Sequence, residues 1–317
     1  MRRMLDILIV NFNTASLLPA MFDACRLATR DIDVRYWVVD NASQDNSVEV
    51  LREQFSFAGL VLNGQNVGFG RANNQLLPHV TGDYVLLLNT DAFVAPDTLQ
   101  CTLAYMQANP ACGVLGVKLV GREGDLQPSC RYFPTPWNVF LSRTGLGRFF
   151  SGTQMVDDMA WDHASVRECD WVPGCYYLVR RAVLDEVGLF DPRFFLYYEE
   201  VDHCRRVKAA GWQVVYFPDT TVVHVGGESA KSVGKLSDSG RQLSAMQVES
   251  ELLYFRKHGG WSSLFHHVCL TAMAGIYLMV KDVLRRRGWA VVRQRVEHFV
   301  LTLRLCVQTR WATQPTR

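Results

Sequence analysis

The chain has 317 residues, 49% of them apolar and 20% charged, which is enough to bury one large domain or a domain with an appendage. A formal net charge of +2 gives no case for a nucleic-acid partner. Nine scattered cysteines, an odd number with no C-x-x-C pair, argue against a disulfide framework or a zinc ribbon and for a reducing compartment.

The N-terminal "MRRMLDILIVNFN" begins like a signal peptide, but Asp6 interrupts a run that is already too short, and no small-residue cleavage site follows. A first buried strand is the better reading, and the protein is expected to be cytoplasmic. Residues 5–10 (LDILIV) stop at "NFNT", 36–39 (YWVV) stop at "DNAS", and 84–88 (YVLLL) stop at "NTD". Short apolar runs that end abruptly in Asn and Asp read as buried strands of a parallel sheet. Helices are expected between them over about 16–29 and 43–54, the second capped near Ser43, Asp45 and Asn46. Alternation of this kind implies an α/β sheet with helices on both faces, and ligands at the carboxyl ends of its strands.

In the second half, 170–180 (DWVPGCYYLVR) reads as a strand entered through a Pro-Gly turn and 181–188 as a short helix. A helix is expected over about 200–210, stopped by Gly211, then a strand over 212–217. Residues 226–240 are rich in Gly, Ser and Lys, including Lys231 and Lys235, and read as a mobile active-site loop. A further helix is expected over 241–258. The thirteen-residue apolar run 268–280 falls short of the roughly 20 needed to span a bilayer. It suits either a helix packed on the domain or one lying in a membrane interface. Eight basic residues between Lys281 and Arg310, against Asp282 and Glu297, together with Trp261, Tyr277 and Trp289, favour the interface.

Taken singly, the polar motifs are ambiguous. Asp91 in "LLLNTDAFVAP" suits a hard cation, or an Asx turn. "NVGFGRANN" has Gly68 and Gly70, but Asn73 stands where a dinucleotide fingerprint needs its third glycine, and no tight strand–turn–helix start is evident around it. That break disfavours a nicotinamide-dependent oxidoreductase. The cluster "FLYYEEVDHCRR" crowds Glu199, Glu200 and Asp202 behind aromatic side chains. Asp202 precedes Arg206 by one helical turn, and a supporting ion pair explains it.

In order, "ILIVNFN", "VVDNAS", "NVGFGRANN" and "LLLNTDA" resemble the nucleotide-sugar half of a family 2 glycosyltransferase of GT-A fold. "VPGCYYLVRR", "GLFDPRFFLYYEEVDHCRRVKAAGW" and "VVHVGGES" resemble the acceptor half of its rhamnosyltransferase branch. The resemblance covers about residues 5–260. It implies a mostly parallel α/β catalytic domain over 1–225, with the nucleotide-sugar half at about 1–100, the loop 226–240, and a helical C-terminal extension over 241–317. It also implies roles. Asn11 and Asn13 would line the base pocket, and Asp40 would accept from the pyrimidine N–H. Asn66, Gly68 and Asn73, with Arg71, would lie near ribose and diphosphate. The family's metal-binding D-x-D maps to Asn89–Thr90–Asp91, so Asp91 with His224 would share one Mg²⁺ or Mn²⁺. Glu200, where Asp is commoner, would be the catalytic base and Glu199 its neighbour at the acceptor. Trp171, Gly174 and Cys175 would shape the acceptor pocket.

The reaction so implied is inverting transfer of a sugar, with L-rhamnose from dTDP-rhamnose favoured, to a saccharide or polyprenyl-diphosphate-linked acceptor in cell-surface polysaccharide (O-antigen) synthesis. It would take place at the cytoplasmic face of the inner membrane, touched through 262–317. Alternatives are a UDP-hexose, UDP-galactofuranose or GDP-mannose donor, or a non-catalytic nucleotide- or glycan-binding protein.

Overall fold

In the computed structural model of the protein the described residues are 4–30, 32–226 and 236–317, the last stretch with side chains from 245. Lys231 and Lys235 lie outside them, as does most of the expected loop. The chain divides into two compact units. One comprises Met1–Arg131, Met159–Pro192 and Glu199–Ser239; the other comprises Tyr132–Asp158, Arg193–Tyr198 and Gly240–Arg317.

The first unit is built on one ten-stranded sheet. Its elements, in chain order, are β1 (Met4–Asn11), α1 (Leu18–Ala28), β2 (Asp33–Asp40), α2 (Ser47–Gln54), β3 (Gly59–Leu62) and α3 (Phe69–Leu76). Then follow β4 (Tyr84–Leu88), β5 (Ala92–Val94), α4 (Thr98–Ala108), β6 (Cys112–Val120), β7 (Leu126–Gln127) and β8 (Arg167–Glu168). It ends with β9 (Tyr176–Arg180), α6 (Arg181–Val187), α7 (Glu199–Ala209) and β10 (Gln213–His224). The second unit holds α5 (Pro136–Thr144), most of α8 (Leu236–Leu284), and α9 (Trp289–Gln308).

The strand order is β3-β2-β1-β4-β9-β6-β10-β5, with β7 beside β6 and β8 beside β10. Strands β3, β2, β1 and β4 run parallel, as the continuous apolar runs predict for strands covered on both faces. Leu5, Ile7, Leu8 and Ile9 of β1 are fully buried, and each such side chain contributes about 1.5–3 kcal/mol. Asp6 is buried among them. Its carboxylate accepts from Arg35 (3.0 Å), Trp37 Nε1 (3.0 Å) and the backbone N–H groups of Thr81 (2.9 Å) and Gly82 (2.6 Å). A charge so surrounded is tolerated where a bare one would not be.

Three expectations are corrected. Strand β9 begins only at Tyr176, and Trp171 makes an isolated bridge to Arg131 instead. Strand β10 runs on to His224 through a register slip between Phe217 and Thr221, where Pro218 supplies no N–H to the ladder. As expected, no tight strand–turn–helix start surrounds "NVGFGRANN": β3 leads through the six residues 63–68 into α3, whose N-cap Gly68 has φ +89°. Helix α8 starts at Leu236 and continues to Leu284, broken only at Gly260 (φ +63°). The apolar run is therefore no isolated thirteen-residue piece. By length and composition Ala245–Leu284 is long and apolar enough to cross a membrane.

Candidate active site

The register of β1 on β2 sets Asn11 directly opposite Asp40 at the carboxyl edge of the sheet. Both are buried. Asn11 Nδ2 donates to Asp40 Oδ2 (2.7 Å) and Ser43 Oγ (3.1 Å), and the Ser43 N–H donates to Asp40 Oδ1 (2.9 Å). Ser43 Oγ also accepts from the Asn13 N–H (2.9 Å), and Asn13 Oδ1 from the Gln44 N–H (2.6 Å). Asn13 (φ 53°) and Ala42 (φ 67°) both take left-handed backbone here. Such conformations are costly for non-glycine residues and collect at functional edges. Thr14 ties this corner to the next strand: its hydroxyl donates to Asn11 Oδ1 (2.7 Å) and meets the Thr90 hydroxyl (2.9 Å).

Strand β9 runs antiparallel to β4, so its start lies at the carboxyl end of β4, where the Asn89 N–H donates to the Cys175 carbonyl (3.0 Å). Antiparallel pairing of β10 with β5 sets His224 opposite Ala92, one residue past Asp91. His224 Nε2 stands 3.6 Å from Asp91 Oδ1, beyond hydrogen-bond reach. Burial pushes the His224 pKa down against the pull of Asp91, so the ring is neutral. On its other side, Nδ1 and the His224 carbonyl both meet Gln127 of β7, at 2.9 and 2.8 Å. Among the described residues no group of three or more His, Cys, Asp or Glu side chains is placed to hold a metal ion. An oxygen and a nitrogen donor facing each other fit a hard cation that keeps waters and substrate phosphates as its other ligands.

Helix α7 opens with the acidic pair. Asp202 accepts from Arg206 Nε (3.0 Å), as the i,i+4 spacing predicts, and Arg206 also donates to the Val187 and Leu189 carbonyls. His203 contacts the Tyr177 hydroxyl (2.7 Å) and the Gly188 carbonyl (3.0 Å). The helix start is thus anchored behind Glu199 and Glu200. Tyr197 (φ 69°) and Tyr198 (φ 67°), just before them, are both left-handed. The Oε2 atoms of Glu199 and Glu200 are buried without a hydrogen-bond partner among the described residues. Burial, reinforced by Glu200, holds the Glu199 carboxyl well above the usual range. Burial raises Glu200 too, opposed by backbone hydrogen bonding and the positive charge of Arg131. That guanidinium lies over the Trp171 ring, 4.1 Å from its centroid. Burial and the charges of Asp91 and Glu200 raise the Cys175 thiol far above its ordinary value, so it is no nucleophile.

The sequence profile described as "Glycosyl transferase family 2" matches residues 6–161. The N-acetylglucosaminyl-diphospho-decaprenol L-rhamnosyltransferase of Mycobacterium tuberculosis is 27% identical over 305 residues, covering 90% of this chain and 96% of that protein. The chain belongs to glycosyltransferase family 2. Rhamnosyltransferase WbbL of Escherichia coli K12 is 27% identical over 201 residues, or 60% of this chain and 74% of that one. The structure of mannosyltransferase PcManGT from Pyrobaculum calidifontis, in complex with GDP-Man and Mn²⁺, superposes with a TM-score of 0.57 at 18% identity. That likeness covers 99% of this chain and 89% of the other, and carries the GT-A-like fold.

Within this glycosyltransferase, Asn11, Asn13, Asp40 and Thr90 share one hydrogen-bonded corner, Asp91 faces His224, and Cys175 adjoins Asn89 and feels both Asp91 and Glu200. Other candidates make contacts within the scaffold. Asn66 Oδ1 accepts from the Gly68 N–H and from Asn41 Nδ2, both at 2.9 Å. Arg71 Nε donates to the Pro192 carbonyl (2.7 Å), and Asn73 Nδ2 to the Phe69 carbonyl (3.0 Å). Trp171 is largely buried beneath Arg131. A Cβ on Gly174 would meet only Phe69, at 3.6 Å, so packing does not require glycine there. Ser43, expected as a helix cap, works on Asn11 and Asn13, while Asn46 is the N-cap of α2. Thr14, Gln127 and Arg131 carry no motif and were reached only through the fold.

Proposed function

We infer that the enzyme is a metal-dependent, inverting transferase of L-rhamnose from dTDP-rhamnose to a polyprenyl-diphosphate-linked saccharide. The observation that carries this reading is the pair of buried carboxylate oxygens on Glu199 and Glu200 that have no partner among the described residues, in the same unit as the facing Asp91 and His224. The full-length likeness to a rhamnosyltransferase named for a decaprenol-linked acceptor supports the sugar and acceptor class.

Asp40 and Asn11 would receive the nucleotide base, Asp40 accepting from its ring N–H. Asp91 and His224 would hold Mg²⁺ or Mn²⁺, which when bound stabilises the charge of the departing diphosphate. Glu200 takes the acceptor hydroxyl proton as that oxygen bonds to the anomeric carbon and the carbon–oxygen bond to the diphosphate breaks. A single displacement inverts the anomeric centre. Glu199, its carboxyl raised furthest, favours its protonated form, which would donate a hydrogen bond to the acceptor. Arg131 holds Glu200 toward its ionised form, the form a base needs.

Contact with the cytoplasmic face of a membrane fits the second unit. Trp261, Phe265, Ile276, Val280 and Val283 of α8 recur at helical spacing and stand more than half exposed, as do Trp289, Val300 and Val307 of α9. Arg285, Arg286 and Arg287 lie between the two stripes, as an anionic lipid surface requires.

The test is nucleoside-diphosphate release from a panel of dTDP-, UDP- and GDP-sugars, with Mn²⁺ and a lipid-linked N-acetylglucosamine acceptor in liposomes. Acceptor-dependent release from dTDP-rhamnose is expected. Preference for another donor would overturn the rhamnose assignment, and release from none would overturn the transferase reading.

A further inference from the structure

Gln127 belongs to a two-residue strand, outside every motif, yet it grips His224 twice. Its Nε2 is 2.8 Å from the His224 carbonyl oxygen, and its Oε1 is 2.9 Å from His224 Nδ1. A carbonyl oxygen can only accept, so the amide nitrogen must face it. That leaves Oε1 against the ring, and Oε1 can only accept, so Nδ1 carries a proton. In the neutral ring the other nitrogen is then bare. Nε2 therefore presents a lone pair toward Asp91 Oδ1, 3.6 Å away. Two lone-pair donors aimed at each other with no proton between them are complementary to a cation.

We propose that Gln127 is a positioning residue that fixes His224 as its Nδ1–H tautomer and so makes Nε2 a metal donor in advance of binding. The inference rests on the reading of Asp91 and His224 as ligands of a divalent cation. The strand frame supports it. Gln127 pairs with Leu119 of β6, and β6 pairs with β10 at Val120 and Val223, one residue before His224. The grip on the backbone carbonyl and on the ring of the same residue removes rotation that a free histidine would have. Outer hydrogen bonds of this kind set ligand tautomer and orientation at metal sites, and their loss weakens metal binding about 10–100-fold.

The experiment uses the full chain, free of metal, at pH 8. Long-range ¹H–¹⁵N spectra of labelled histidine, assigned with His224→Gln, are expected to show protonated Nδ1 and bare Nε2. Gln127→Leu should lose that pattern, and Gln127→Glu, which keeps an acceptor against Nδ1, should retain it. Mn²⁺ alone, followed by loss of its free EPR signal, should bind Gln127→Leu about 10–100-fold more weakly than wild type. Protonated Nε2 in the wild type, or a Leu variant with unchanged tautomer, overturns the role of Gln127. So does a Leu variant whose Mn²⁺ affinity is unchanged. The proposed tautomer in a wild type that binds no Mn²⁺ would instead overturn the metal reading and leave the clamp standing.

Discussion

Two sets of buried carboxylates in the catalytic unit are treated in opposite ways. Asp6, inside β1, has four donors on its two oxygens, drawn from β2 and from the turn before β4. Glu199 and Glu200, at the start of α7, each keep one buried oxygen with no partner among the described residues. Burial is common to both and so marks neither as functional. The difference lies in satisfaction. Asp6 holds strands together, whereas the glutamates bear a cost that, under the proposed function, a bound acceptor would relieve.

The largest effect that sharpens this contrast is on chemistry. Glu200→Gln keeps size and hydrogen bonding but cannot take a proton. Its turnover should fall about 10²–10⁴-fold while nucleotide-sugar affinity, by calorimetry, stays within about twofold. Residual turnover above about a tenth of wild type would dismiss the base. The opposite variant is Asp6→Ala, which strands the Arg35 guanidinium and two backbone N–H groups. It should cost about 3–5 kcal/mol in urea unfolding, as for removal of one partner from a buried pair. Turnover per folded molecule should be unchanged. A destabilisation below about 1 kcal/mol would mean that the four contacts around Asp6 contribute little.

What the sequence made legible follows from locality. Strands β1, β2 and β4 are apolar runs that end where polar residues begin, so the carboxyl edge on which Asn11 and Asp40 fall could be read from order, while their facing each other needed the register of β1 on β2. The pairing of Asp202 with Arg206 needed only helical spacing. The rest depends on partners distant in the chain. Gln127 meets His224 across 97 residues, and Arg131 lies on Trp171 through a bridge that no periodicity announces. Ser43 carried a helix-cap signature but was recruited by Asn11 instead. The full length of β10 was hidden by Pro218, whereas the break in α8 at Gly260 falls where Gly259 and Gly260 signal a helix end.

The smallest predicted effect turns the comparison into a pH dependence. The folded-state pKa of Glu199 is raised, so folding favours its protonated form. Its contribution is whole below the ordinary carboxylate pKa of about 4.3 and is lost as pH rises toward the folded value. Across that window the loss is about 1.4 kcal/mol for each unit by which the folded pKa exceeds the unfolded one. Glu199→Gln mimics the protonated acid and has no such titration. The variant should therefore match wild type in stability at pH 4 and exceed it at pH 8, as read in paired thermal melts. A variant less stable than wild type at pH 8 would mean that Glu199 is ionised and satisfied in the fold, as Asp6 is satisfied, and the contrast between the two sites would fail.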